Sequence, residues 1–150
     1  LVPAAVRATG LPVIAAGGIA SAEQVNALLA MGAAGVSVGT ALLTTAESSA
    51  CDAHRYYAEF GTACDTVLTR IYNGRLSRVL RNALVEALDD WELMTAGYPG
   101  QKALMGPLDR CASEVGRNDL VMLPLGQSAG RSAYRRTADC VHALFPRRAD

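Results

Sequence analysis

The sequence predicts an α/β protein that opens on parallel βα units, and three observations carry that expectation. Helical and extended patterns alternate through the first 45 residues, with very short links between them. Each of the two predicted strands ends in a glycine-bearing corner, Gly17-Gly18 after the first and Gly39-Thr40 after the second. With 51% hydrophobic and 19% charged residues in 150, the chain is far from a disordered composition and long enough to bury a core.

The elements follow in order. Leu1 to Ala8 read as a helix closed by Gly10, a residue type suited to a left-handed C-terminal cap. Leu11–Ala16 is a continuous apolar run bounded by glycines, the pattern of a buried parallel strand. Ser21 opens the next helix. With Gln24 three residues on it forms a capping box, and Val25, Leu28 and Leu29 give one apolar stripe before Gly32 ends the helix. Ala34–Val38 is the second short strand.

After residue 45 the composition shifts, and 13 of the 14 basic residues lie beyond residue 50. The spacing predicts a helix from Glu47 to Phe60 and a β-rich segment over Asp65–Tyr72. A turn at Asn73-Gly74 then makes Leu76–Leu80 the returning strand of a hairpin. Asn82 to about Met94 carries Leu84, Ala87, Leu88 and Trp91 on one helical face, with Trp91 expected as a packing anchor. Gly97, Pro99, Gly100, Gly106 and Pro107 punctuate the next stretch, and another helix is expected over Leu104–Val115. Leu123–Gly130 reads as a loop and Tyr134 to Phe145 as a closing amphipathic helix.

Charge and cysteine content narrow the function classes. Fourteen basic and 14 acidic residues balance to zero, which argues against binding driven by phosphate neutralisation on nucleic acid or by anionic lipid. No apolar run reaches the roughly 18 residues of a membrane span. Cys51, Cys64, Cys111 and Cys140 form no C-x-x-C pair and no tetrahedral metal pattern, so they read as reduced thiols of a cytoplasmic protein. The chain opens on Leu1 with no signal-peptide pattern, and the expectation is a segment of a larger protein.

The chemistry sits in the two glycine corners. Both follow predicted parallel strands at their C-terminal ends, where α/β enzymes bind ligands. Glycine lets backbone N–H groups approach an anion closely, and Thr40 adds a hydroxyl donor. Two such loops separated by one helix read as a phosphate cradle, of the kind (β/α)8 barrels place after their seventh and eighth strands. At 150 residues the chain falls short of the roughly 250 that such a barrel takes.

Pro12-Val13-Ile14-Ala15-Ala16-Gly17-Gly18-Ile19-Ala20, then Met31-Gly32-Ala33-Ala34-Gly35-Val36, then Gly39-Thr40 resembles the FMN-binding barrels of the nitronate monooxygenase (2-nitropropane dioxygenase) family. Thr44 to Ser48, His54, Tyr57, Asp65 to Arg70, Gly74-Arg75, Arg78 and Arg81-Asn82 are similar, in order, to the segment after that family's barrel. Leu125 to Gly130 is similar to its late G-Q-x-A-G loop, and the closely related flavin-dependent enoyl-ACP reductases share much of the pattern.

The resemblance implies the C-terminal portion of a TIM barrel: residues 1–45 as the last βα units, with Leu11–Ala16 and Ala34–Val38 as strands seven and eight, and 46–150 as a mostly helical segment beyond the barrel. It implies FMN as cofactor, with Gly17, Gly18, Gly39 and Thr40 at the phosphate and Gln127 brought back towards the barrel mouth. It implies oxidation of alkyl nitronates by molecular oxygen. The family's catalytic histidine lies in a Gly-Gly-His segment that this sequence does not contain. His54 and His142 are expected on helix faces, His54 solvated. Arg70, Arg75, Arg78 and Arg81 are expected to meet carboxylates or water. An enoyl-ACP reductase, and a phosphate-binding or interaction module without catalysis, are the alternative readings. Two barrel strands leave an open edge, which invites association into oligomers.

Overall fold

The structure is a computed structural model that describes residues 1–131 and 133–146. Its order is α1 (Val2–Thr9), β1 (Ile14–Ala16), α2 (Ala22–Ala30), β2 (Gly35–Ser37), a 3-10 turn (Thr40–Leu42), and α3 (Asp52–Phe60). A second 3-10 turn (Ala63–Asp65), β3 (Thr66–Thr69), β4 (Ser77–Leu80), α4 (Ala83–Leu88), and a 3-10 segment (Asp89–Met94) follow, then α5 (Gly100–Glu114) and α6 (Thr137–Leu144). The chain divides into two compact units, Leu1–Thr62 with the residues from Gly126 on, and Ala63–Leu125. Among the described residues no helix is long and apolar enough to cross a membrane.

In the first unit β1 and β2 pair in parallel, Ile14 opposite Gly35, Ala15 opposite Val36 and Ala16 opposite Ser37. Gly10 caps α1 at φ 63°, and the Ser21–Gln24 capping box forms as the sequence requires. The core joins Ile19 and Val25 to Ala41 and to Cys140 and Leu144 of α6, with Val36, Val38 and Tyr134 packed against it. The last helix therefore returns to cover the same face of the strand pair as α2.

The strands are shorter than their apolar runs, and they are not buried on both faces. Ala15 is buried, but Ile14 is 58% exposed and Ala16 is exposed too. The period-2 alternation of a strand explains this: Ala15 and its partner Val36 face the helices, and the residues on either side of Ala15 face away.

Helix α3 begins at Asp52, five residues later than its predicted start. The segment before it is held by a side chain instead of a helical ladder. The Arg55 guanidinium donates to the carbonyls of Thr45 and Ala50 at 2.6 and 3.0 Å and also to that of Ser48.

The second unit contains the hairpin expected near residues 65–81. β3 and β4 pair antiparallel from Thr66–Leu80 to Thr69–Ser77, and Asn73 Oδ1 accepts the Arg75 N–H at 2.8 Å within the turn. Gly74 sits at φ 80°, and a methyl group there would come 2.5 Å from the Ala96 carbonyl oxygen. Leu123–Leu125, expected as loop, lies along β4: Leu80 N–H donates to Leu123 O and Leu125 N–H to Arg78 O.

The core of this unit is Ile71, Tyr72, Val79, Leu84 and Val85. Asn82 caps α4, accepting the Val85 N–H. The helix expected to reach Met94 gives way after Leu88 to a 3-10 segment, so Trp91 turns out 59% exposed and is not the anchor the helical spacing suggested. Helix α5 starts at Gly100, four residues early, and runs through Pro107. Proline there removes one N–H that would have reached the Ala103 carbonyl but does not stop the helix.

Candidate functional site

The register of β1 and β2 fixes where the two glycine corners emerge. Ala16 and Ser37 are partners in a parallel pair, so Gly17-Gly18 and Gly39-Thr40 leave from the same, C-terminal end of neighbouring strands. Gly17 and Gly18 adopt φ 100° and 72°, a left-handed backbone that an L side chain resists. These two glycines are required by the turn itself.

Gly39 is different. Its φ of −119° lies outside the left-handed region that favours glycine, and a methyl group added there would meet no heavy atom within 4 Å. Nothing in the described protein demands glycine at this position. The space that a Cβ would fill is open at Gly17, Gly18 and Gly39 alike.

Thr40 opens the 3-10 turn, and its Oγ1 accepts the Gly126 N–H at 2.9 Å. That bond, across 86 positions, brings the G-Q-S-A-G stretch to the second corner and leaves Gln127, one residue on, exposed beside it. Gly130 then donates to Ala58 O at 2.9 Å, which ties the same stretch to α3. The N-terminus of α2 is less available than its position suggests. Ala20 and Ser21 N–H groups both donate to Gln24 Oε1, at 2.7 and 3.2 Å. The donors left for a phosphate are those of the corners themselves.

Threonines and Glu47 brace the chain after Thr40. Thr44 donates to Tyr134 O, Thr45 to Leu42 O, and Thr137 donates to Glu47 Oε2 through both its N–H and its hydroxyl. Hydrogen bonds from its own N–H and that of Thr137 hold the Glu47 carboxyl below the usual carboxylate range.

The residues present fit a flavin phosphate. Glycine corners with open Cβ space, a threonine hydroxyl and an absence of carboxylates among these five positions suit a dianion, whose charge backbone N–H groups satisfy well.

The histidines contribute no visible base. His54 is buried in α3, against the expectation of a solvated face, and His142 is exposed on α6. Among the described residues no group of three metal-ligating side chains converges.

The arginine cluster proves structural in part. Arg78 Nη1 donates to Thr66 Oγ1 at 3.0 Å, Arg75 stacks 3.8 Å over the Tyr98 ring, and Arg70 lies 3.9 Å from Glu92. Sequence reasoning missed a cavity of about 720 Å3 in the second unit, lined by Tyr72, Tyr98, Lys102, Met105, Pro107 and Arg110 among others. The signal for it, small residues Ala103 and Gly106 on one helix face, is common in helices that pack against others.

A parallel βα pair with two glycine corners at its C-terminal end is the arrangement that α/β enzymes, TIM barrels among them, place at their ligand-binding edge. The nitronate monooxygenase family model matches residues 1–144, and the chain belongs to that family of flavin-dependent TIM-barrel oxidoreductases. A probable nitronate monooxygenase of Staphylococcus aureus (strain Newman) is 36% identical over 128 residues, which cover 85% of this chain and 36% of the relative. The chain thus spans about a third of the length of the curated relatives it matches. Among solved structures, nitroalkane oxidase from Streptomyces ansochromogenes superposes with a TM-score of 0.87 at 32% identity, over 96% of this chain and 41% of that one. FabK from Thermotoga maritima gives 0.78 at 29% identity, over 96% and 46%.

Proposed function

We propose that this chain supplies the phosphate end of an FMN site in an oxidoreductase that oxidises alkyl nitronates with molecular oxygen. In this reading residues 1–45 are the last βα units of the barrel, Gly17, Gly18, Gly39 and Thr40 receive the phosphate, and Gln127 lies at the mouth beside it. When bound, the flavin carries the redox chemistry. The chain's own residues bind and orient it: corner N–H groups donate to phosphate oxygens, and the Thr40 hydroxyl adds a donor.

The observation that carries the reading is Gly39. A glycine whose conformation and neighbours do not require it, in a corner that faces open space, is explained by a ligand that needs the room. The reading assigns this chain the phosphate end of the site and assigns no base. The likeness to FabK keeps a flavin-dependent enoyl-ACP reductase as the second reading.

Flavin fluorescence titration of the intact protein tests the binding. Gly39→Val is expected to fold as the parent does and to weaken FMN by tenfold or more. Oxygen uptake with an alkyl nitronate then separates the two reactions. Uptake supports the oxidase reading, whereas nicotinamide-dependent reduction of an enoyl thioester without uptake overturns it. Undiminished FMN binding by Gly39→Val removes the phosphate assignment.

A further inference from the structure

We infer that Gly126 is a positioning residue: its N–H sets the Thr40 hydroxyl so that the hydroxyl proton is delivered to an anion at the glycine corners. The inference rests on the phosphate reading above.

A threonine hydroxyl has one proton to donate and two lone pairs to accept with. Left alone, it commonly turns that proton to a nearby backbone carbonyl. The neighbours of Thr40 do so: Thr44 donates to Tyr134 O at 3.0 Å and Thr45 to Leu42 O at 2.9 Å. Thr40 behaves otherwise. Its Oγ1 accepts from Gly126 N–H at 2.9 Å, and among the described residues its own proton has no acceptor. With one lone pair occupied from the Gly126 side, the proton is directed away from that bond. An amide donor on the oxygen also polarises the hydroxyl and makes it a better donor.

The approach sets the residue type at 126. A methyl group there would come 2.8 Å from Thr40 Oγ1 and 3.8 Å from Thr40 Cβ. Its backbone is not in the left-handed region, so glycine is required by proximity and not by the turn. The same 86-residue bond explains why a late stretch of the chain matters to the second corner: the returning segment orients a side chain that would otherwise be free to rotate.

The test is a titration of the intact protein with FMN and with riboflavin, which lacks the phosphate. Gly126→Ala and Thr40→Ala are each expected to weaken FMN about ten- to a hundredfold, the range of one charge-assisted hydrogen bond, and to leave riboflavin within twofold. Because both act through one hydroxyl, the double variant is expected to bind FMN no more weakly than Thr40→Ala alone. Thr40→Ser, which keeps the oxygen, is expected to retain FMN binding.

Losses that multiply in the double variant, or a Gly126→Ala protein that loses riboflavin equally, overturn the positioning role and leave the phosphate site standing. Equal affinity of the parent protein for FMN and riboflavin overturns the phosphate reading itself. Should Gly126→Ala not fold, amide exchange of Gly126 provides the second measurement. Protection that is lost in Thr40→Ala supports the bond, and unchanged protection contradicts it.

Discussion

Replacing Asn82 by alanine tests how the second unit is held together. The side chain is buried and makes three hydrogen bonds. Its Oδ1 accepts from Val85 N–H at 3.2 Å and from the Tyr72 hydroxyl at 2.9 Å, and its Nδ2 donates to Val121 O at 2.9 Å. Removing it takes the cap from α4, worth about 0.5–2 kcal/mol. It also strands the Val85 N–H in the core, at about 1–3 kcal/mol. The Tyr72 hydroxyl and Val121 O then still have each other at 3.2 Å, so that pair limits the damage.

The combined cost for Asn82→Ala is about 1–4 kcal/mol, below the plain sum of the two ranges, since both partly describe the same lost bond. Tyr72→Phe is the control. It removes one donor, while Asn82 Oδ1 keeps Val85 N–H and Val121 O keeps Asn82 Nδ2, so about 0.5–1.5 kcal/mol is expected. Urea unfolding followed by circular dichroism, with midpoint and slope fitted separately, measures both. A Tyr72→Phe loss equal to that of Asn82→Ala would refute the hub assigned to Asn82.

Four further outcomes follow from the same geometry. Gly130→Ala places a methyl group on the Gly61 carbonyl oxygen at φ 72°, whereas Gly116→Ala at the same φ meets nothing within 4 Å. Thermal melts should show Gly116→Ala losing only about 1–2 kcal/mol and Gly130→Ala clearly more. Burial pushes the Tyr72 hydroxyl up to about 12, so its protonated form is favoured on folding. That contribution is complete below pH 10 and is lost as pH rises from 10 towards 12; Tyr72→Phe should flatten alkaline unfolding over that window. A thiol reagent should label the exposed Cys51, Cys64 and Cys111 in the native protein and reach Cys140 only on unfolding, since Cys140 is fully buried and its thiol is pushed up by burial. His142→Ala should leave turnover unchanged in an oxygen-uptake assay, and a lost turnover would place the base on α6.

The first unit was the more legible in the sequence. Capping signals at Gly10 and Ser21 act within a few residues, and the glycine corners follow directly from the strands they end. What the apolar runs did not disclose is how many faces are covered. Ile14 and Ala15 look alike in sequence, and only the partner layer decides that one is bare and the other buried.

After residue 45 helical spacing alone misleads twice. It predicts a packed Trp91 and a start of α3 at Glu47, but a 3-10 segment changes the period after Leu88, and the carbonyls before Asp52 accept from Arg55 instead of forming a ladder. The helix expected over Leu104–Val115 already includes Pro107, and α5 does run through it but starts four residues earlier, at Gly100. Of the candidate site, Gly17, Gly18, Gly39 and Thr40 were visible as a pattern. The bond from Gly126 to Thr40 was not, because no local spacing connects residues 86 apart.

A crystal structure of the intact protein with FMN bound tests the central claim most directly. The account predicts the phosphate at the C-terminal end of β1 and β2, within the usual 2.7–3.2 Å of N–H groups at Gly18, Gly39 and Thr40, with the Thr40 hydroxyl donating to a phosphate oxygen and Gly126 still bonded behind it. A phosphate held elsewhere, with these corners in contact with protein or solvent only, would contradict it.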